Sequence, residues 1–424
     1  MNIYTNPNKS EWAALTVRAT QNNDKIAAIV SGILQRVKEN GDKALRELAM
    51  EIDGVALTDL EVTEEEKKQA AGLVSQQVKD ALDRAYANIR AFHEAQMPKP
   101  VEVETMPGVK CCQRPVPIQK IGLYVPGGNA PLFSTVLMLA IPAAVAGCPD
   151  VILCTPTDKQ GKVAPAVVYA ATLCGVKHIY KAGGAQAIAA MAYGTETISK
   201  RDKIFGPGNR FVTMAKQSVS VSEVSIDMPA GPSEVMVMAD SSAKPEFIAS
   251  DLLSQCEHGA DSQAILVCNS VEIAEKVQGC IDEQMKTLSR TKALESSLGN
   301  SRAIVLDTKE AMIEFANAYG SEHLIIAMEN PWDVAGKITA AGSVFIGNWS
   351  CESAGDYASG TNHTLPTSGW AHSYSGVNID SFIRKITYQE LSCEGLGSLA
   401  DTIITMADAE GLDAHANAVK VRIK

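Results

Sequence analysis

The chain has 424 residues, of which 46% are hydrophobic and 21% are charged. This length favours two or three domains, and the composition provides enough apolar side chains for packed cores. Lys and Arg number 38 against 49 Asp and Glu, so the net charge is −11, and no basic run is long enough to follow a phosphate backbone. Nucleic acid is therefore a poor candidate for the partner.

The sequence predicts a cytoplasmic protein. Its longest apolar run, 136–148, is interrupted by Pro142 and Gly147, and it is shorter than the ~20 residues that a membrane span requires. The amino terminus lacks the pattern of a signal or transit peptide. Ten cysteines are scattered without zinc-finger spacing, as is usual for reduced, buried thiols.

The first third of the chain has the apolar spacing of helices. Apolar residues three and four positions apart predict helices over 24–51 and 64–96, with a strand over 54–62 between them. The stretch 101–125 alternates and is rich in Val and Pro. This stretch predicts a short antiparallel segment.

From residue 125 onward, short apolar strands alternate with helices, which is typical of βαβ units. A first series has predicted strands at 151–155, 177–181 and 203–206, and predicted helices over 164–174, from 183 and over 209–218. A second series has predicted strands at 235–238, 264–267, 303–306, 324–327 and 343–346, and predicted helices over 246–257, from 271 and over 309–318. The tail from 383 has a mostly helical pattern and ends in the strand-like 418–423. The sequence thus predicts an α/β fold with two parallel-sheet lobes.

Three glycine-rich turns lie between a predicted strand and a helix in the first series. They are Gly127–Gly128–Asn129, Gly183–Gly184 and Gly206–Pro207–Gly208–Asn209. Such turns allow backbone N–H groups to approach a pyrophosphate, but ordinary turn formation explains each of them equally well. The established phosphate-binding patterns GxGxxG and GxxxxGK[ST] are missing, so the turns alone do not identify a dinucleotide.

The histidines carry the clearest chemical signal. Gln255 and His258 are three residues apart on a predicted helix, so their side chains share one face and could bind one ion. Further candidate groups follow along the chain: Glu322, His323, Asp356, His363, Glu410 and His415. Imidazole, carboxylate and carboxamide groups suit Zn²⁺ or another borderline divalent ion. Each histidine could equally satisfy a local group, since only folding could unite residues so far apart.

Eight segments, in order, closely resemble the histidinol dehydrogenase family. They begin at Gly122, Gly183, Phe205, Asp227, Asp251, Ser321, Gly355 and Glu410, and they read GLYVPGG, GGAQAIAA, FGPGN, DMPAGPSE, DLLSQCEHG, SEHL, GDYASGTNHTLPT and EGLDAH. The resemblance extends from about residue 10 to the carboxyl terminus. Eight ordered segments make this a specific match.

The resemblance implies a zinc- and NAD-dependent homodimer that oxidises L-histidinol to L-histidine through L-histidinaldehyde, in two hydride transfers. It implies an α/β fold of two incomplete Rossmann-like parallel-sheet lobes with small helical N- and C-terminal segments. The first lobe would comprise residues 1–125 and 235–380, and the second 126–234. The tail, 381–424, would complete the active site of the partner subunit.

The family's site residues map onto individual positions of this sequence. The implied zinc ligands are Gln255, His258, Asp356 and His415. The implied substrate contacts are the same four residues with Ser233, His323 and Glu410. The implied NAD contacts are Tyr124, Gln186 and Asn209.

Glu322 and His323 are the expected catalytic bases. His323, neutral near pH 7, would accept the alcohol proton, and Glu322 would activate the water that adds to the aldehyde. One alternative is a paralogous NAD-dependent dehydrogenase of another small alcohol, which Glu410 and His415 disfavour because they suit an amino-imidazole substrate. The other is a zinc-binding scaffold without turnover, which the Glu322–His323 pair disfavours.

Overall fold

The computed structural model describes residues 1–18, 24–127 and 131–424. The strands are β1 (Asn2–Thr5), β2 (Val101–Met106), β3 (Val109–Pro117), β4 (Lys120–Tyr124), β5 (Asp150–Thr155), β6 (His178–Lys181), β7 (Lys203–Phe205), β8 (Ser225–Ile226), β9 (Glu234–Ala239), β10 (Gln263–Cys268), β11 (Arg302–Val305), β12 (Ser321–Ala327), β13 (Ala341–Ile346) and β14 (Ile383–Leu391). The α-helices are α1 (Lys9–Leu15), α2 (Asp24–Leu48), α3 (Glu64–Leu73), α4 (Gln76–Glu94), α5 (Phe133–Val145), α6 (Pro165–Leu173), α7 (Gly184–Tyr193), α8 (Arg210–Ser220), α9 (Pro245–Cys256), α10 (Val271–Gln284), α11 (Thr291–Asn300), α12 (Lys309–Tyr319), α13 (Pro331–Ala335), α14 (Glu352–Tyr357), α15 (Cys393–Ala409) and α16 (Asp413–Lys420). None of these helices is both long and apolar enough to traverse a bilayer.

Six parallel strands form the larger sheet, in the order β1-β11-β10-β9-β12-β13. The central strand β9 is apolar on both faces because helices cover both sides of the sheet. Val235 and Val237 pack with α9 and α10, whereas Met236 and Met238 pack with α1 and α12. The amino ends of β9 and β12 therefore lie side by side at one edge of this sheet.

Five parallel strands form the second sheet, in the order β6-β5-β4-β7-β8. One face packs against α2, α7 and α8, and the other against α3, α4, α5 and α6. The strand order reverses on either side of β4, so a crevice is expected at the carboxyl end of this strand.

The third sheet is small and antiparallel, in the order β14-β3-β2. It pairs the start of the carboxyl-terminal segment with a distant part of the chain, since Ile383 lies opposite Pro117, 266 positions earlier. The helices α15 and α16 follow β14 and pack on each other. The α/β fold with two parallel-sheet lobes and small terminal segments is confirmed.

Most of the first 125 residues belong to a different lobe from the one predicted. The segment 1–125 was assigned to the lobe of the larger sheet, but β4 lies in the five-stranded sheet and α2, α3 and α4 pack on it. Among the described residues of this segment, β1 and α1 are the elements that join the larger sheet. An amphipathic pattern indicates that a helix face is buried, but not which sheet covers it.

Several local predictions were also wrong. Segment 54–62 forms no strand and contributes one bridge, Glu61 to Tyr180. Ser75 caps α4, so the predicted helix 64–96 is two helices. The tail begins with the nine-residue strand β14, and 418–423 forms no strand, since its residues up to Lys420 belong to α16. A short apolar run is compatible with either a helix or a strand, and its pairing partner decides which of the two forms. The predicted turn residues Gly128 and Asn129 lie outside the described residues.

Candidate active site

Three of the four residues predicted to bind metal lie together at the amino edge of the larger sheet. Gln255 lies in the last turn of α9, His258 follows its end, and Asp356 lies in α14. The ligand atoms of His258, Asp356 and Glu352 all lie within 4.8 Å of one another. Glu352 is buried, Asp356 is half-buried and His258 is exposed. The cluster therefore extends from the interior to the surface.

Gln255 gives this cluster an unsatisfied buried oxygen. Its side chain is 1% exposed. Nε2 donates a hydrogen bond to Oε1 of Glu352 at 2.5 Å, but Oε1 of Gln255 has no hydrogen-bond partner among the described residues. Leaving such an oxygen unpaired is unfavourable, and a bound cation would satisfy it. The carboxamide, imidazole and carboxylate groups together fit a borderline divalent ion.

The predicted bases stand at the start of β12. The Nε2 atom of His323 lies 3.3 Å from Oδ1 of Asp356, and its Nδ1 atom lies 3.6 Å from Oε2 of Glu322. Glu322 and His323 are both buried. These two bases and the ligand cluster therefore form one site.

Charge and burial shift the pKa values in this site. Burial alone would lower the pKa of His323, but Glu322 and Asp356 outweigh it and raise that pKa well above its ordinary value. Burial would raise the pKa of Asp356, yet the contact with His323 holds it below its usual range. Burial, aided by the nearby Asp356, raises the pKa of Glu352 to about 8. Folding therefore places two carboxylates against the His323 ring, one from the neighbouring residue Glu322 and one from Asp356 in α14.

Glu234, at the start of β9, connects Arg18, which follows α1, to the two bases. Its backbone N–H donates to Oε2 of Glu322 at 2.8 Å, and its carbonyl oxygen lies 3.3 Å from Nδ1 of His323. Its buried carboxylate accepts two hydrogen bonds from Arg18, each of 3.0 Å. The guanidinium carbon of Arg18 lies 3.8 Å from the ring centroid of Tyr319. Arg18 thus stabilises the strand end that carries the bases.

His363 connects this site to the five-stranded lobe. Its Nδ1 atom lies 2.8 Å from the backbone oxygen of Asp356, and its Nε2 atom lies 3.1 Å from the hydroxyl of Thr135. Thr135 belongs to the first turn of α5, which follows β4 in the chain. The ligand cluster therefore lies close to the segment after the central strand of the other sheet.

The predicted NAD residues lie at or after the carboxyl ends of strands of the five-stranded sheet. Tyr124 ends β4, Gln186 lies in the first turn of α7, and Asn209 precedes α8. The Tyr124 hydroxyl accepts a hydrogen bond from the Gly184 N–H at 3.1 Å, and burial raises the pKa of Tyr124 to about 12. The Asn209 side chain accepts hydrogen bonds from two N–H groups of α8, so it caps that helix.

Glycine brings two of these segments together. Gly206 has a φ of +131°, and a Cβ atom there would collide with the Tyr124 carbonyl oxygen. Glycine therefore allows the turn after β7 to approach the end of β4. The three predicted residues share the carboxyl edge at which the strand order reverses.

Three other predicted residues have a different placement. Ser233 directly precedes β9 and is half-buried, so it lies at the same edge as the bases. Glu410 and His415 are exposed at the end of α15 and in α16. His415 is not part of the ligand cluster found within the described residues of one chain.

Glu352, Glu234 and Arg18 were not predicted. Glu352 is four residues before Asp356, so a helix places both on one face, and that spacing could have identified it. No local pattern identifies Arg18, because its partner Glu234 is 216 residues away.

Comparison with known proteins identifies the family of this chain. The sequence matches the histidinol dehydrogenase family over residues 16–423. The chain belongs to the histidinol dehydrogenase family. This finding confirms the resemblance seen in the eight sequence segments.

Similar members of the histidinol dehydrogenase family align over nearly their full length. The histidinol dehydrogenase of Bacteroides thetaiotaomicron is 52% identical over 423 residues, covering 100% of this chain and 99% of that protein. That of Vibrio vulnificus is 51% identical over 401 residues, covering 94% of this chain and 92% of that protein. A crystal structure of histidinol dehydrogenase from Elizabethkingia anophelis has a TM-score of 0.97 and 51% identity, covering 100% of this chain and 98% of the other.

The Arg18–Glu234 contact leads to a stability prediction. Replacing Arg18 with Met should lower the free energy of unfolding by about 3–5 kcal/mol, because Glu234 would remain buried without its charged partner. Urea unfolding at neutral pH measures this change.

Lys9→Met is the matched control, since Lys9, at the start of α1, forms an exposed ion pair with Glu314 of α12. Its expected cost is only about 0–1 kcal/mol. Equal, small losses in the two variants would contradict the role assigned to Arg18.

Proposed function

We propose that this protein is a histidinol dehydrogenase that oxidises L-histidinol to L-histidine through L-histidinaldehyde, an oxidoreductase step of histidine biosynthesis. Membership of the histidinol dehydrogenase family supports L-histidinol as the substrate. The observation that carries the proposal is the contact of His323 with Asp356 at 3.3 Å, in the cluster where the Gln255 side-chain oxygen has no hydrogen-bond partner among the described residues. A proton acceptor and a group of metal-ligand type thus occupy one site.

Gln255, His258 and Asp356 fit a divalent cation, which we propose to be Zn²⁺. His415 of a partner subunit would supply the fourth ligand. When bound, the ion would orient the amine and imidazole of the substrate and stabilise negative charge on its oxygen. The ligand types suit Mn²⁺ or Co²⁺ as well.

His323 and Glu322 would move the protons. The neighbouring carboxylates make the imidazole of His323 a stronger base, so its Nε2 atom can hold a proton taken from the alcohol. Oε2 of Glu322 accepts the Glu234 N–H, which fixes this carboxylate while its other oxygen can accept a proton from water. We propose this second role for the oxidation of the aldehyde.

NAD would bind at the carboxyl edge of the five-stranded sheet and accept the hydrides. The placement of Tyr124, Gln186 and Asn209 around the turns that follow its strands supports this site. The adjacent pocket is lined by polar groups of Asp53, Lys181 and Gln186. The contact between Thr135 and His363 connects this lobe with the bases.

A homodimer with exchanged tails would complete each site. Exposed apolar residues occur on the antiparallel sheet and in the tail: Val101, Val103, Met106, Leu391, Met406, Leu412, Val421 and Ile423. A second copy would cover such surface, and it would bring Glu410 and His415 to the neighbouring site. All ten cysteines, which lie in the described residues, are free thiols, as expected for our proposed location in the cytoplasm.

The direct test is an assay of the purified chain with L-histidinol, NAD and zinc. We expect two NADH per histidinol, and histidine as the product. Turnover of another small alcohol in preference to histidinol would favour the paralogous dehydrogenase. Zinc binding without NADH formation from any alcohol tested would favour a scaffold.

The two bases should act in different half-reactions. His323→Ala should slow the oxidation of histidinol by about 10²–10⁴-fold, because it removes the acceptor of the alcohol proton. Glu322→Gln should spare the first hydride transfer and slow the oxidation of supplied histidinaldehyde. Single-turnover measurement of NADH separates the two steps.

His178→Ala is the control for loss of an imidazole, since His178 pairs with Glu61 at the surface. Its rates should match the wild type. Equal losses in both half-reactions for Glu322→Gln would refute the proposed division.

A mixed dimer tests whether the tail acts on the partner. His258→Ala and His415→Ala chains should each be nearly inactive as homodimers, because every site lacks one ligand. A purified dimer of one chain of each kind should recover about half of the wild-type activity, since one of its two sites is intact. No recovery would mean that His415 serves its own chain.

A further inference from the structure

The carboxylate of Glu352 joins α14 to α9 in the buried part of the ligand cluster. Its Oε2 accepts a hydrogen bond from the Ser254 hydroxyl and its Oε1 accepts one from Nε2 of Gln255, both of 2.5 Å. Its backbone N–H donates to Oδ1 of Asp251 at 3.3 Å. Glu352 is 1% exposed. Both oxygens of this carboxylate are therefore already engaged by consecutive residues of α9.

The carboxamide of Gln255 must be oriented before it can serve as a ligand. Its oxygen and its NH₂ group have nearly the same size, so packing alone does not decide which of them faces a given neighbour. Glu352 accepts a hydrogen bond from the NH₂ group and so fixes that group on its own side. The oxygen is then left buried without a hydrogen-bond partner among the described residues, and only the oxygen can bind a cation.

We infer that Glu352 is a positioning residue of the metal site, which holds the Gln255 carboxamide so that its oxygen is presented to the cation. This inference rests on the metal site proposed above. Hydrogen bonds of this kind commonly orient the ligands of metal sites. The carboxylate of Glu352 is close enough to His258 and Asp356 to bind an ion itself, so the experiment must separate the two roles.

A double-mutant cycle on zinc affinity separates them. Zinc binding to the metal-free full-length protein is measured by competition with a chromogenic chelator. Glu352→Ala should weaken binding by about 10–100-fold. In a Gln255→Ala background the same change should cost less than about threefold, because no carboxamide remains to be positioned. Additive losses would overturn the inference, since Glu352 would then act on the ion directly or through its charge.

Glu352→Gln provides the rescue test. It keeps an acceptor oxygen at the same place without the charge, and it should retain most of the affinity that Glu352→Ala loses. Equal losses in the two variants would overturn the inference. If the Ala variant fails to fold by circular dichroism, Glu352→Met takes its place, because it keeps the side-chain length without an acceptor.

Glu257→Gln is the matched control, since it removes a partly exposed carboxylate next to the end of α9. It should change zinc affinity by less than about threefold. A wild-type chain that binds no zinc would overturn the proposed metal site and this inference together. Zinc binding with additive losses would overturn the inference alone.

Discussion

Three carboxylates lie close together near the imidazole of His323 at the amino edge of the larger sheet. Glu322 and Asp356 flank His323, and Glu352 lies beside Asp356. Negative charges held this close in a buried region cannot all persist without compensation. The raised pKa values of His323 and Glu352 are the response of the protein itself. A divalent cation would compensate the same charges. The carboxylates that shift these pKa values would therefore also attract the proposed metal ion.

The two sheets contribute opposite edges to the candidate site. The five-stranded sheet presents its carboxyl edge, where ligands of open α/β sheets usually bind. The larger sheet presents its amino edge, because α9 runs back from the end of β9 and places Gln255 and His258 there. The contact of His363 with Thr135 bridges the two lobes. A nucleotide on one lobe and a small substrate on the other would meet at this bridge.

Much of the site could be predicted from the sequence, but its electrostatics could not. Spacing placed Gln255 and His258 on one helix face, and Glu322 and His323 are neighbours in the chain. Asp356 was a further candidate in the sequence, family resemblance implied its role as a metal ligand, and the structure brings it to the same place. Glu352 escaped prediction because its hydrogen-bond partner is 97 residues away, although it shares a helix with Asp356.

The sequence by itself determined the alternation of strands and helices, the parallel sheets and the local residue pairs, because these depend on periodicity between near neighbours. Tertiary structure decided that β4 and the helices before it join the five-stranded sheet, and that β14 pairs with β3. It also decided that His323 is buried and meets Asp356, which together with Glu322 raises the pKa of the imidazole. Such outcomes depend on which buried surfaces and charges meet across long stretches of chain. Local patterns carry no information about those partners.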